Sequence, residues 1–216
     1  MFPLNGNLYF VYSGWPLGEH TSELTQCLYI TQMSDPVTAT TFPPVCISSP
    51  NHSWERFRDD GGSHNINEGP QFLEFGNFKG LVYSCCASWT AEYKLGILNY
   101  RGGDPLKPKS WEKEGTPFMQ SSHDTDGPYG PGHGSFLQTA EGTFCIYHAT
   151  DRNNDGWENR KARCCLLGST NEGLPFVGVP WEGRTPNGKG QVPFDLPKNA
   201  KGVGAVLKDI GKKLHG

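Results

Sequence analysis

Apolar residues make up only 35% of the 216 positions in this chain, and charged residues only 19%. A helical bundle of that length would need amphipathic stripes built from both kinds, so the composition argues against one. No run of 18 apolar residues occurs, and the sequence therefore offers no membrane-spanning helix. An excess of one charge sign is also missing. The formal net charge is -3, and the main part of the chain lacks the basic stripe that nucleic acid would require. Met1-Phe2-Pro3-Leu4 leads directly into an apolar strand without a basic segment and apolar run, so no signal peptide is visible and localisation stays open. The seven cysteines contain no Cys-x-x-Cys metal spacing. Two adjacent pairs, Cys85-Cys86 and Cys164-Cys165, should each split between the two faces of a strand. Most of the seven read as buried or half-buried thiols, with room for a disulfide or two.

What the chain has in quantity is turn-forming and aromatic residues: 28 glycines, 17 prolines and 12% aromatics. These suit many short strands joined by tight turns. One short pattern occurs three times, as Asn5-Gly6-Asn7-Leu8-Tyr9-Phe10-Val11-Tyr12-Ser13, Gly76-Asn77-Phe78-Lys79-Gly80-Leu81-Val82-Tyr83-Ser84 and Glu141-Gly142-Thr143-Phe144-Cys145-Ile146-Tyr147-His148. Each copy is a polar turn followed by an apolar strand, a tyrosine and a polar residue. Tyr12, Tyr83 and Tyr147 are 71 and 64 residues apart, enough for a four-stranded unit with its loops. Repetition of such units predicts an all-β fold of the β-propeller kind, here about three blades.

Between the copies, Cys27–Ile30, Val45–Ser48, Lys94–Leu98 and Ala162–Leu167 read as further strands. The propeller-like part is expected over residues 1–182, followed by a Gly/Pro-rich linker and tail over 183–216. In the tail, Val203, Val206, Leu207, Ile210 and Leu214 fall at helical spacing among Lys208, Lys212 and Lys213. Internal glycines weaken that helix, so the tail is read as a basic, frayed segment in preference to a membrane-lying one.

Chemistry is sought just before each repeated strand, because the innermost strands of a propeller line its axis. Glu68 stands fifteen residues before Tyr83, and His133 fourteen before Tyr147. Taken singly, each has an ordinary reading, as a turn carboxylate and a core histidine. In register, they would meet at one hub. Asp151-Arg152-Asn153-Asn154-Asp155-Gly156 looks like half an EF-hand loop, but Ala162 stands where the bidentate Glu belongs. Gly130-Pro131-Gly132 is too short for a phosphate loop.

These motifs resemble glycoside hydrolase family 43, five-bladed propellers acting on arabinose- and xylose-containing polysaccharides. The matching text is Leu8–Trp15, Leu28-Tyr29-Ile30 with Met33-Ser34, Asn67-Glu68-Gly69-Pro70, Tyr83-Ser84 with Ser88-Trp89-Thr90, Tyr129-Gly130-Pro131-Gly132-His133, and Gly156-Trp157 with Arg160 and Arg163. The resemblance is greatest to the α-L-arabinofuranosidase-type members, with β-xylosidases beside them. It implies an inverting glycosidase in which Glu68 is the general acid and Trp15, Trp89, His133 and Arg163 contact sugar. It also implies that His133 can hold an axial calcium ion or water cluster; no other cofactor is expected. The family's general base and acid-tuning Asp belong to positions before Met1, so the chain is read as blades three to five of a longer enzyme. Little hydrolysis is then expected from it alone, with a carbohydrate-binding or partner-binding remnant as the alternative. Another chain supplying the missing blades is the corresponding partner expectation.

Overall fold

The computed structural model describes residues 1–16, 25–121, 127–140, 142–153, 155–170 and 173–177. Among these residues there is no α-helix, only strands and two single turns of 3-10 helix. The first sheet unit contains β1 (Phe2–Leu4), β2 (Asn7–Gly14), β3 (Thr25–Asp35), β4 (Thr38–Ala39) and β5 (Val45–Ser48). A 3-10 turn over Ser53–Glu55 leads into β6 (Arg56–Asp59). The second unit is β7 (Gly62–Phe75), β8 (Phe78–Cys85), β9 (Lys94–Tyr100) and β10 (Trp111–Lys113), the last preceded by a 3-10 turn over Pro108–Ser110. The third contains β11 (Tyr129–Thr139), β12 (Gly142–Thr150) and β13 (Lys161–Leu166), with a small hairpin of β14 (Gly168–Ser169) and β15 (Pro175–Phe176).

The repeated pattern is the inner hairpin of each blade. Asn5 and Gly6 turn the chain between β1 and β2 with φ of 51° and 78°, the left-handed pair that a two-residue hairpin requires. Gly76-Asn77 turns the chain between β7 and β8, where Phe75 faces Phe78, with only Gly76 of the two in the left-handed region, at φ 56°. The third sheet departs from the expected four strands: β11, β12 and β13 form a three-stranded sheet among the described residues. The first two blades are also not separate. The start of β3 runs parallel to β7, pairing Thr25 with Asn65 and Gln26 with Ile66, and joins them into one ten-stranded sheet.

Two apolar cores lie between the blades. Phe2, Leu4, Tyr9, Val11, Leu28 and Ile30 of the first blade pack on Leu81, Tyr83 and Leu98 of the second. Phe78, Val82, Leu95 and Ile97 pack in turn on Cys145, Tyr147 and Cys165 of the third. Strand β8 therefore contributes to both cores, which explains why every residue of it but Lys79 is buried. On the other face of the first blade, Phe10 stacks on Tyr12 at 5.4 Å and Tyr12 on Tyr29 at 5.9 Å, with Phe10 exposed.

All seven cysteines are free thiols. Cys164 and Cys165 divide between a half-buried and a buried position as alternation requires, but Cys85 and Cys86 are both buried. Strand β8 ends at Cys85, and Cys86 turns into the left-handed region at φ 69°, which breaks the alternation. The basic tail lies outside the described residues.

Candidate active site

Strands β7 and β11 carry the same irregularity. On β7, Glu68 faces Ser84 and Gln71 faces Val82; on β11, Gly132 faces His148 and Ser135 faces Ile146. At this point each inner strand fits one extra residue against its neighbour, a β-bulge of the kind that re-aims side chains near sites, and β11 has a second between Tyr129 and Gly132. The residue after Glu68 is Gly69 at φ 55°, and the residue after Gly132 is His133 at φ 51°. His133 is therefore the structural counterpart of Gly69, not of Glu68, so the matching read from spacing is offset by one. A histidine in the left-handed region is strained, and its surroundings must hold it there. Its backbone N–H donates to Ser84 Oγ at 2.7 Å.

That offset brings the two blades together. A Cβ built on Gly69 would lie 3.1–3.3 Å from three atoms of the His133 ring, so the imidazole rests on the glycine. Glu68 is half-buried beside it and His133 is exposed. Tyr93, fully buried, donates its hydroxyl to Glu68 Oε1 at 2.7 Å. Tyr93 lies against Gly132, where any Cβ would come within 2.0 Å of its ring. Its other face stacks on His148 at 5.5 Å, and His148 in turn lies 6.5 Å from His133. Arg160 contributes a guanidinium nitrogen 3.2 Å from His148 Nε2. Burial, with Arg160 and His133 adding positive charge, pushes His148 down to about 4, and it is neutral near pH 7. His148 Nδ1 is buried with no hydrogen-bond partner among the described residues.

A second polar cluster holds β7 from behind. Glu55 is completely buried, and its Oε1 accepts from Asn67 Nδ2 at 2.9 Å, Tyr83 OH at 2.8 Å and Lys113 Nζ at 2.6 Å. Its Oε2 accepts from the His52 N–H and again from Lys113. Asn67 Oδ1 takes Ser48 Oγ at 2.7 Å and Lys113 Nζ at 3.1 Å, so the residue preceding Glu68 is fixed on every side. Burial lowers the Lys113 ammonium, and its contact with Glu55 works the other way.

An aromatic rim adjoins these groups. Trp89 meets His64 edge-on at 4.8 Å and Trp157 at 5.6 Å, and Trp157 Nε1 donates to Ser88 Oγ. Trp15 is 54% exposed just beyond β2. Arg163, on β13, pairs with Asp151, and its buried Nε has no hydrogen-bond partner among the described residues. No described contact joins Trp15, Trp89 or Arg163 to Glu68 or His133; the rim meets that group through Arg160, whose Nε donates to the Trp157 carbonyl and whose guanidinium reaches His148.

Tyr93 and His148 were not among the residues expected from sequence. His148 had a legible signal: it follows the repeat tyrosine, where the other copies have Ser13 and Ser84. Tyr93 belongs to a loop without a repeated counterpart, and no pattern marks it.

An axial calcium ion does not fit these residues on their own. Calcium takes six to eight oxygen ligands. The cluster offers one carboxylate, already bonded to Tyr93, together with two imidazoles, and no group of three or more metal-ligating side chains occurs among the described residues.

The family model "Glycosyl hydrolases family 43" matches residues 1–168. The chain belongs to this family. An extracellular exo-α-(1→5)-L-arabinofuranosidase of Streptomyces avermitilis is 33% identical over 178 residues, covering 77% of this chain and 34% of that protein. The α-L-arabinofuranosidase 43 of Humicola insolens is 32% identical, covering 86% of this chain and 38% of its own length. Among solved structures, α-L-arabinofuranosidase from Lactobacillus brevis superposes with a TM-score of 0.71 at 28% identity, over 83% of this chain and 54% of that one. This family 43 chain thus spans little more than a third of the curated relatives and about half of the solved enzyme.

Proposed function

We propose that this chain is the acid-bearing part of an inverting glycosidase of the α-L-arabinofuranosidase or β-xylosidase type, acting on arabinose- or xylose-containing plant cell-wall polysaccharide. The observation that supports it is the half-buried Glu68 carboxyl, oriented by Tyr93, beside the exposed imidazole of His133. A hydroxyl donated to Oε1 fixes the carboxyl and leaves Oε2 to hold the proton that passes to the glycosidic oxygen as the bond breaks. His133 and Trp89 would contact the sugar, as would Trp15 and Arg163 if the oligosaccharide extends toward them. The relative named extracellular supports secretion of the whole protein.

Inversion needs a second carboxylate roughly 6.5–9.5 Å from the first to activate water. On the elements around Glu68 the acids are committed elsewhere: Asp59 to His64 at 2.9 Å, Glu92 to Lys94 and Asp151 to Lys161 and Arg163. On the family resemblance, we assign the base and the acid-tuning Asp to blades beyond this chain. The stacked Phe10–Tyr12–Tyr29 face is where further blades, from the same or another polypeptide, would pack. A sugar-binding remnant without turnover is the second reading, favoured by those committed carboxylates.

Calorimetry with an arabino-oligosaccharide and an aryl-arabinofuranoside assay test both readings on the same preparation. Binding is expected, weakened in Trp89→Ala and kept in Glu68→Gln. Turnover is expected about 10²–10⁴-fold below that of a family member with its base in place. Absence of heat with the intact chain removes both readings. Full-speed turnover lost in Glu68→Gln contradicts the missing base while upholding the acid.

A further inference from the structure

Beside the buried Glu55–Lys113 cluster, Cys27 and Cys46 bring their thiols to the same residue, whose carbonyl also binds Lys113. Both flank one hydroxyl: Ser49 Oγ is 3.5 Å from Cys27 Sγ and 3.6 Å from Cys46 Sγ. The strands that carry them are already paired, with Tyr29 facing Cys46 and Leu28 facing Ser48. A register shift between those two pairs brings Cys27 diagonally toward Cys46. Cys27 is buried, Cys46 is half-buried, and Ser49 is exposed. One sulfur can therefore be reached from solvent while the other waits behind it. Lys113, which donates to the Ser49 carbonyl, places a positive charge near both.

We propose that Cys27 and Cys46 are a redox-active dithiol, at which Cys46 attacks a low-molecular-weight disulfide such as oxidised glutathione and Cys27 resolves the product to an intrachain bond. In the first step the Cys46 thiolate forms a mixed disulfide, the glutathione S–S bond breaks, and one glutathione thiolate leaves. In the second the Cys27 sulfur, after losing its proton, attacks Cys46 Sγ and expels the other. Two protein thiols are oxidised by two electrons, one glutathione disulfide is reduced to two thiols, and the two protons released end on those thiols.

The chemical division of labour agrees with the geometry. The contact with Cys27 and the Ser49 hydrogen bond bring Cys46 down to about 6, whereas the same contact and burial push Cys27 up. The other thiols lack this arrangement. Cys145 and Cys165 face each other directly, but both are buried inside the core between blades. Cys85 and Cys86 also meet, with Cys86 lowered by the contact, but both are fully buried and donate to the carbonyls of Lys94 and Trp54, so neither can be reached from solvent. Cys164 is half-buried, faces Ile146, and is pushed up to about 11 by burial.

The test incubates the native chain with oxidised glutathione, alkylates the remaining thiols, and reads intact mass and a non-reducing peptide map. The expected result is loss of two of the seven thiols and a single Cys27–Cys46 cross-link. Cys27→Ser should stop at one glutathione adduct on Cys46. As a measurement free of any variant, Cys46 should alkylate roughly tenfold faster than Cys164 at pH 7. Seven unreacted thiols, a cross-link between other cysteines, or a wild-type adduct that never resolves overturns the proposal. None of these outcomes depends on glycosidase activity.

Discussion

At the scale of single residues, the hub is governed by hydrogen bonds that fix orientation and by burial that fixes charge. His148 shows the second effect. Its folded value of about 4 lies below its ordinary 6.5, so the folded chain resists protonation that the unfolded chain accepts. Stability is then complete above about pH 6.5, falls as pH drops toward 4, and levels off below it. His148→Phe keeps a ring on Tyr93 and removes the titration, so its denaturation midpoint should fall less between those two pH values than wild type; urea titrations at both values measure this. Glu68 and His133 were legible in sequence because each precedes a repeat tyrosine at nearly the same distance. The one-residue offset was present in those distances as well, fifteen against fourteen, because both strands carry the same bulge and the count back from each tyrosine is preserved.

At the scale of elements, strand β7 carries Glu68, the acid of the proposed function, and a buried ion pair holds the strand's approach. Lys113 is 8% exposed and Glu55 not at all, so neither charge can turn to water. Lys113→Met leaves the Glu55 carboxylate buried without its cation and should cost about 3–5 kcal/mol. Adding Glu55→Gln to that variant removes the stranded charge and keeps an acceptor for Asn67 and Tyr83, so it should restore part of the loss. Guanidinium unfolding of the single and double variants measures both; additive losses would contradict the pairing. Sequence could not announce this cluster, because Glu55, Asn67, Tyr83 and Lys113 come from four separate elements with no shared spacing. The strands themselves were readable. Alternation and the Asn-Gly and Gly-Asn turns mark hairpins by local chemistry alone, whereas the parallel β3–β7 contact depends on tertiary placement.

At the scale of the whole molecule, three stacked units share two cores, and the inner hairpins aim successive bulges at one hub. The family's architecture was visible as a repeat before any coordinate, while the join of the first two sheets and the three-stranded third were not. The hub has a competitor for ligand: a cavity of about 430 Å³ between β9 and the β14–β15 hairpin, lined by Phe78, Ile97, Phe118, Met119 and Leu174. A crystal structure of the chain soaked with an arabino-oligosaccharide separates the two. The account predicts a sugar ring against His133 with its glycosidic oxygen within hydrogen-bonding reach, about 3 Å, of Glu68 Oε2. Sugar bound in the Phe78–Leu174 cavity, with the Glu68 carboxyl untouched, would contradict it.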